Sequence, residues 1–129
     1  MANVEDTNSL ASFEDIANAW SFSGLKVVDR FILADTAGMA TPQIVRQSLA
    51  AILLMADDVP VGLNLYDTRG LSLVNLMTAL EMRIAHFDTS LGGLGGCPFN
   101  AGAAGNIATE DTIHLLNSLN VVTGIDYAR

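Results

Sequence analysis

The amino-acid sequence predicts an α/β protein made of three parallel strand-loop-helix units, and three observations carry that prediction. Apolar, β-branched runs recur about every 25–30 residues. Each run ends in a polar or glycine-rich loop. Each loop leads into apolar residues at helical spacing. Strands that alternate with helices in this way form parallel sheets, either doubly wound or closed into a (β/α)8 barrel, and both architectures place their chemistry at the C-terminal ends of the strands.

Residues 1–11 are polar and aperiodic and are expected to be disordered. Ser12 and Asp15 match a capping box, Phe13, Ile16, Ala17 and Trp20 keep helical spacing, and Gly24 is placed to stop the turn, so a first helix is predicted over 13–23. The run VVDRFILAD predicts a strand over 27–35, and TAGMATP a loop. Pro42 then suits the first turn of a helix carried by Ile44, Val45, Leu49, Ile52 and Leu53 as far as Asp57 and Asp58. VPVGLNLYD predicts a second strand over 59–67, TRG its loop, and Leu73, Leu76, Met77, Leu80 and Ile84 the stripe of the next helix. AHFDTSL predicts a third strand over 85–91. Asn106 or Thr109 is expected to cap a last helix with Glu110 and Asp111 in its first turn, where negative charge suits the helix dipole.

A chain of 129 residues is the size of one domain. Half the residues are apolar and 16% are charged, which excludes a disordered chain, and no apolar run reaches the ~18 residues of a membrane span. The net charge of −8, with no cluster of Lys or Arg, argues against a nucleic-acid partner. The single cysteine allows no internal disulfide, and MANVEDTNSL has neither the basic nor the apolar region of a secretory signal, so a reducing, cytoplasmic setting is expected.

The polar residues that interrupt the pattern fall at the strand ends: Asp35, Asp67 with Arg69, and the loop over 90–106. In that loop Cys97 follows four glycines and precedes Pro98. A dinucleotide fingerprint begun at Gly93 would need glycine where Pro98 stands, and a P-loop would need a Gly-Lys-Ser/Thr ending that is absent. What remains is a lid whose glycines swing a cysteine over a site at a strand end.

The run FDTSLGGLGGCPFNAGAAGNIATED resembles the cysteine-loop signature of 3-hydroxy-3-methylglutaryl-CoA lyases, within the metal-dependent aldolase-like (β/α)8 superfamily. LADTAGMATP resembles that family's strand-six segment, LYDTRG its strand-seven segment and TGID the stretch after its last helix, so the resemblance spans 13–127. It implies an acyl-CoA substrate, cleaved in leucine degradation to acetyl-CoA and acetoacetate. A Mg2+ or Mn2+ ion would polarise the substrate oxygens. By the same resemblance Cys97 works in proton transfer and Asn106 gives the metal a side-chain oxygen.

Two departures qualify what the resemblance implies. The family's strand seven carries His-x-His toward the metal, and those positions here read Asn64 and Tyr66; Asn64 offers a carbonyl oxygen, whereas a neutral phenol is a poor ligand for a hard dication. The chain also begins near strand six of the family pattern, so the arginine, aspartate and glutamate of the family's first two strands have no counterpart in it. Three parallel strands cannot close a barrel of eight. Their exposed edges and face predict a homo-oligomer, docking on a complementing chain, or helices repacked over both sheet faces. Two function classes follow: a hydroxymethylglutaryl-CoA lyase-like protein, weak or inactive as these residues alone, and a noncatalytic relic or oligomerising scaffold.

Each singled-out residue has a plainer reading too. Asp35 is either a substrate contact or a cap for the helix at Pro42. Asp67 with Arg69 reads as a local ion pair, and Asn106 as an N-cap in preference to a metal ligand. His86 and His114 lack the spacing of a metal or catalytic pair and read as surface histidines.

Overall fold

The computed structural model describes residues 29–96, 102 and 104–126. The segments expected to be disordered (1–11) and helical (13–23) lie outside the described residues, as do Cys97 and Pro98. Strands β1 (Phe31–Asp35), β2 (Val61–Leu65) and β3 (His86–Asp88) form one parallel sheet in the order β1-β2-β3. In register, Phe31 meets Val61, Leu33 meets Leu63, and Asn64 meets Asp88.

The strands are shorter than the apolar runs predict, for identifiable reasons. Pro60 has no N–H to give a ladder, and its carbonyl instead accepts from the Phe31 N–H at 2.9 Å, which marks where pairing starts. Asp29 and Arg30 are exposed charged residues ahead of that point. Beyond Asp88 the chain leaves the sheet, because the Ser90 N–H donates to the Ile107 carbonyl at 3.2 Å.

Helix α1 (Pro42–Ala56) begins with proline in its first turn, as predicted, behind an N-cap Thr41 whose Oγ1 accepts from the Ile44 N–H at 3.4 Å. Val45, Leu49, Ile52 and Ala56 are its buried stripe; Leu53, one residue round the helix from Ile52, is exposed. Helix α2 (Ser72–Glu81) is shorter than the stripe ending at Ile84 suggests. Arg83 turns left-handed (φ 65°), and the N–H groups of Arg83 and Ile84 return to the carbonyls of Leu80 and Ala79. This Schellman closure keeps Ile84 buried after the helix has ended. Helix α3 (Thr109–Ser118) closes the same way, with Asn120 at φ 57° and the Val121 N–H on the Leu116 carbonyl. Neither Asn106 nor Thr109 caps α3. Its N-cap is Ala108, Thr109 is already helical, and the Thr109 hydroxyl pairs with that of Thr89 at 2.8 Å.

The core lies on one side of the sheet. Val61, Leu63 and Leu65 form a single cluster with Val45, Leu49 and Ile52 of α1, Leu76 and Ala79 of α2, and Ile107 and Leu116. Arg46 and Glu81 join the outer surfaces of α1 and α2 at 2.9 Å, an exposed pair worth at most about 1 kcal/mol. The other side carries Ile32, Gly62 and His86 in one row and Ala34, Asn64 and Asp88 in the next. There Ile32 is 39% exposed, and Ala34 and Asp88 are exposed as well, so the described helices have not repacked over both faces. No described helix is long and apolar enough to cross a membrane.

Candidate functional site at the strand ends

The first two strands end in the same device. Asp35-Thr-Ala-Gly38 and Asp67-Thr-Arg-Gly70 each form a β-turn, with the glycine N–H returning to the aspartate carbonyl at 3.2 and 3.0 Å and the glycine at positive φ. Each aspartate side chain then organises the loop that follows. Asp35 accepts from the N–H groups of Met39 (3.1 Å) and Ala40 (3.0 Å), and Asp67 accepts from the Ser72 N–H (3.1 Å) and hydroxyl. Asp35 therefore does not cap α1, which has Thr41 for that purpose. Among the described residues Asp67 makes no ion pair with Arg69; its carboxylate faces the first turn of α2 instead. The turns also touch: a Cβ on Gly38 would lie 2.5 Å from Thr68 Oγ1, so glycine is required there by both space and conformation. Thr68 Oγ1 in turn accepts from the Ala104 N–H at 3.3 Å.

The third strand end is built differently. Residues 91–93 form a 3-10 turn, with the Gly93 N–H on the Ser90 carbonyl and the Leu94 N–H on the Leu91 carbonyl. Both carboxylate oxygens of Glu110 accept from the Gly92 N–H, at 3.1 and 2.9 Å. That N–H, followed by the backbone of Glu110 itself, holds the Glu110 carboxyl below the usual glutamate range. The segment 105–109 crosses the ends of β2 and β3. It exchanges bonds with β2 through Asp67 N–H to Gly105 O (3.0 Å) and Ile107 N–H to Leu65 O (2.8 Å), and with the end of β3 through Thr109 N–H to Ser90 O (2.9 Å). A Cβ on Gly105 would collide with the carbonyl oxygens of Gly93 and Gly95, the latter at 2.5 Å. The glycines expected to give a swinging lid thus serve close backbone contact over 91–96, where the chain is pinned to 105–110.

This crossing brings two of the predicted residues together. Asn64 Nδ2 donates to Asn106 Oδ1 at 3.2 Å, and Asn106 Nδ2 donates to the Leu94 carbonyl at 3.0 Å. Tyr66 is paired to Asn106 through the backbone. The Asn106 oxygen that a cation would need is therefore already an acceptor. Among the described residues no three His, Cys, Asp or Glu side chains gather where they could hold a metal ion. Asp88 stands next to Asn64 in register, but one exposed carboxylate with two neutral amides leaves half of a dication's charge uncompensated. These residues do not fit the divalent ion that the resemblance implies.

The remaining candidates are spread out. Cys97 lies outside the described residues. His86 opens β3 half-buried, its Cβ close to Gly62, and so is packed on the sheet face and not a free surface group; His114 is exposed on α3. The residues that sequence reasoning missed are Thr68, Leu94 and Glu110 as loop anchors. The repetition of Asp-Thr-x-Gly in DTAG and DTRG was the signal available for the first.

Comparison with known proteins adds three findings. The HMGL-like family model matches residues 4–129. Over 95 residues the chain is 50% identical to the (R)-citramalyl-CoA lyase of Chloroflexus aurantiacus, covering 74% of this chain and 30% of that protein, and over 98 residues it is 42% identical to a hydroxymethylglutaryl-CoA lyase of Bacillus subtilis, covering 76% and 33%. The crystal structure of the HMG-CoA lyase from Brucella melitensis superposes with a TM-score of 0.77 at 34% identity, covering 92% of this chain and 40% of that one. An HMG-CoA lyase from Acinetobacter baumannii, solved with coenzyme A and 3-methylmalate, superposes with a TM-score of 0.76 at 38% identity, covering 87% and 36%. The chain spans about a third of the length of the curated relatives it matches.

Proposed function

The chain belongs to the HMGL-like family, and on that premise we propose that it carries the loop-bearing strand ends of a carbon-carbon lyase acting on a 3-hydroxyacyl-CoA. The observation behind this is a family match over nearly the whole chain, together with three parallel strands and a glycine loop that the segment 105–109 ties to the ends of β2 and β3. In such a cleavage the C3 hydroxyl loses its proton and the C2–C3 bond breaks. The electron pair passes to the thioester as an enolate, which is then protonated to acetyl-CoA, leaving a keto acid. Cys97 is proposed for the proton transfer, and Asp35 acts on substrate only indirectly, through the loop at Met39 and Ala40 that it holds. Because Asn64, Tyr66 and Asn106 do not make a dication site, turnover by these 129 residues alone is expected to be weak.

The test is release of acetyl-CoA from hydroxymethylglutaryl-CoA, with and without Mg2+. A slow turnover lost in Cys97→Ala is expected; a rate equal in both proteins and in buffer would sink the enzyme reading and leave the scaffold. The 50% identity to a citramalyl-CoA lyase favours a second substrate reading, so citramalyl-CoA belongs in the same assay.

A further inference from the structure

We propose that the Asn64–Asn106 amide pair ties the glycine loop to the end of β2 without a cation, where the family resemblance would put an ion. Three observations carry this. Asn106 has a rigid base, since the bonds from Asp67 N–H to Gly105 O and from Ile107 N–H to Leu65 O fix the backbone on either side of it to β2. From that base its amide is used in both directions: the oxygen accepts from Asn64 Nδ2 at 3.2 Å, and the nitrogen donates to the Leu94 carbonyl at 3.0 Å. The loop is seated directly on this amide, because a Cβ on Gly95 would lie 2.8 Å from Asn106 Nδ2, and the Ser90 hydroxyl holds the same Leu94 carbonyl from the other side.

The chemistry of the pair explains why it can do this work. An amide both donates and accepts, so two amides in series span from a strand to a loop carbonyl with one hydrogen bond at each step. In this relay Asn64 serves as donor and Asn106 as both acceptor and donor, so it is the Asn106 amide that passes the link on to the loop. An ion could take the Asn106 oxygen only by displacing Asn64 or sharing that oxygen with it. The order of the loop over 91–96 is thus set by the neutral amide relay at Leu94 and by the Glu110 carboxylate at Gly92, and is indifferent to divalent cations and chelators. This inference stands apart from the lyase reading, because its readout is not turnover.

Amide hydrogen exchange followed by NMR on the 129-residue protein tests it. In the unsubstituted protein, Gly93 and Leu94 are expected to exchange at the same rate in EDTA and in excess Mg2+. In Asn64→Ala, Leu94 is expected to exchange about fivefold faster, the loss set by one net hydrogen bond, while Leu63 in the centre of β2 keeps its rate and reports that the fold is intact. Asn106→Ala should speed Leu94 further; should it fail to fold, the Asn64→Ala and Mg2+ arms decide alone. A saturable slowing of Leu94 by Mg2+, or an unchanged Leu94 rate in Asn64→Ala, would overturn the proposal.

Discussion

Leu63 and Asn64 are neighbours in β2 with opposite surroundings. Leu63 is 1% exposed and packs in the cluster formed by α1, α2 and the sheet, whereas Asn64 points to the side where Ile32, Ala34 and Asp88 stay open. The odd positions of the strands keep what a parallel β/α unit needs, an apolar surface under helices. The even position 64 carries an amide that donates to Asn106, at the place where the family resemblance implies a metal ligand. Within one strand the core packing and the polar contacts to the loop are thus made by side chains of different faces.

Breaking the buried side should have the largest effect. Leu63→Ala is expected to cost about 2–5 kcal/mol of unfolding free energy through lost burial and a cavity under α1 and α2. Asn64→Ala, one residue away, should cost only about 1 kcal/mol, the value of one net hydrogen bond. Urea denaturation of both variants measures the contrast, and similar losses would erase it.

On the open side the expected change is in association more than in stability. The exposed Ile32 side chain on this face predicts that the protein self-associates. Ile32→Lys should shift it toward monomer in light scattering while altering stability by no more than about 0.5 kcal/mol.

The smallest effect concerns the anchor of the glycine loop. The Glu110 carboxyl is held below its ordinary value in the folded protein, chiefly by the Gly92 N–H. A depressed carboxylate contributes stability at pH above the unfolded glutamate value and loses it as pH falls through the lowered folded value. Protection of the Gly92 amide should therefore be constant at neutral pH and decline only in the acidic range below the ordinary glutamate value. In Glu110→Gln that decline should vanish, which exchange measurements across pH will show.

Much of this was legible from residue order alone. Pro42 and the Val45, Leu49 and Ile52 spacing led to α1 because proline placement and helical periodicity are local properties. The apolar runs led to β1, β2 and β3 for the same reason, though with ends too long, since pairing partners and not propensity decide where a ladder stops. Asn106 misled: as a residue it suits an N-cap, and only the crossing of 105–109 over two strand ends gives it Asn64 and Leu94 as partners. Asp35 and Asp67 were visible as strand-end carboxylates, but their backbone acceptor role depends on loop turns that spacing does not encode. The helix-side residues follow local periodicity, whereas the open side depends on long-range contacts.

The central claim is that the even face keeps its position in the fold while lacking the side chains that grip a cation. Calorimetric titration of Mn2+ into the unsubstituted protein and into the double variant Asn64→His, Tyr66→His tests it most directly. The account predicts no saturable heat in the first and one-site binding in the second. Saturable binding to the unsubstituted protein that disappears in Asn106→Ala would contradict it.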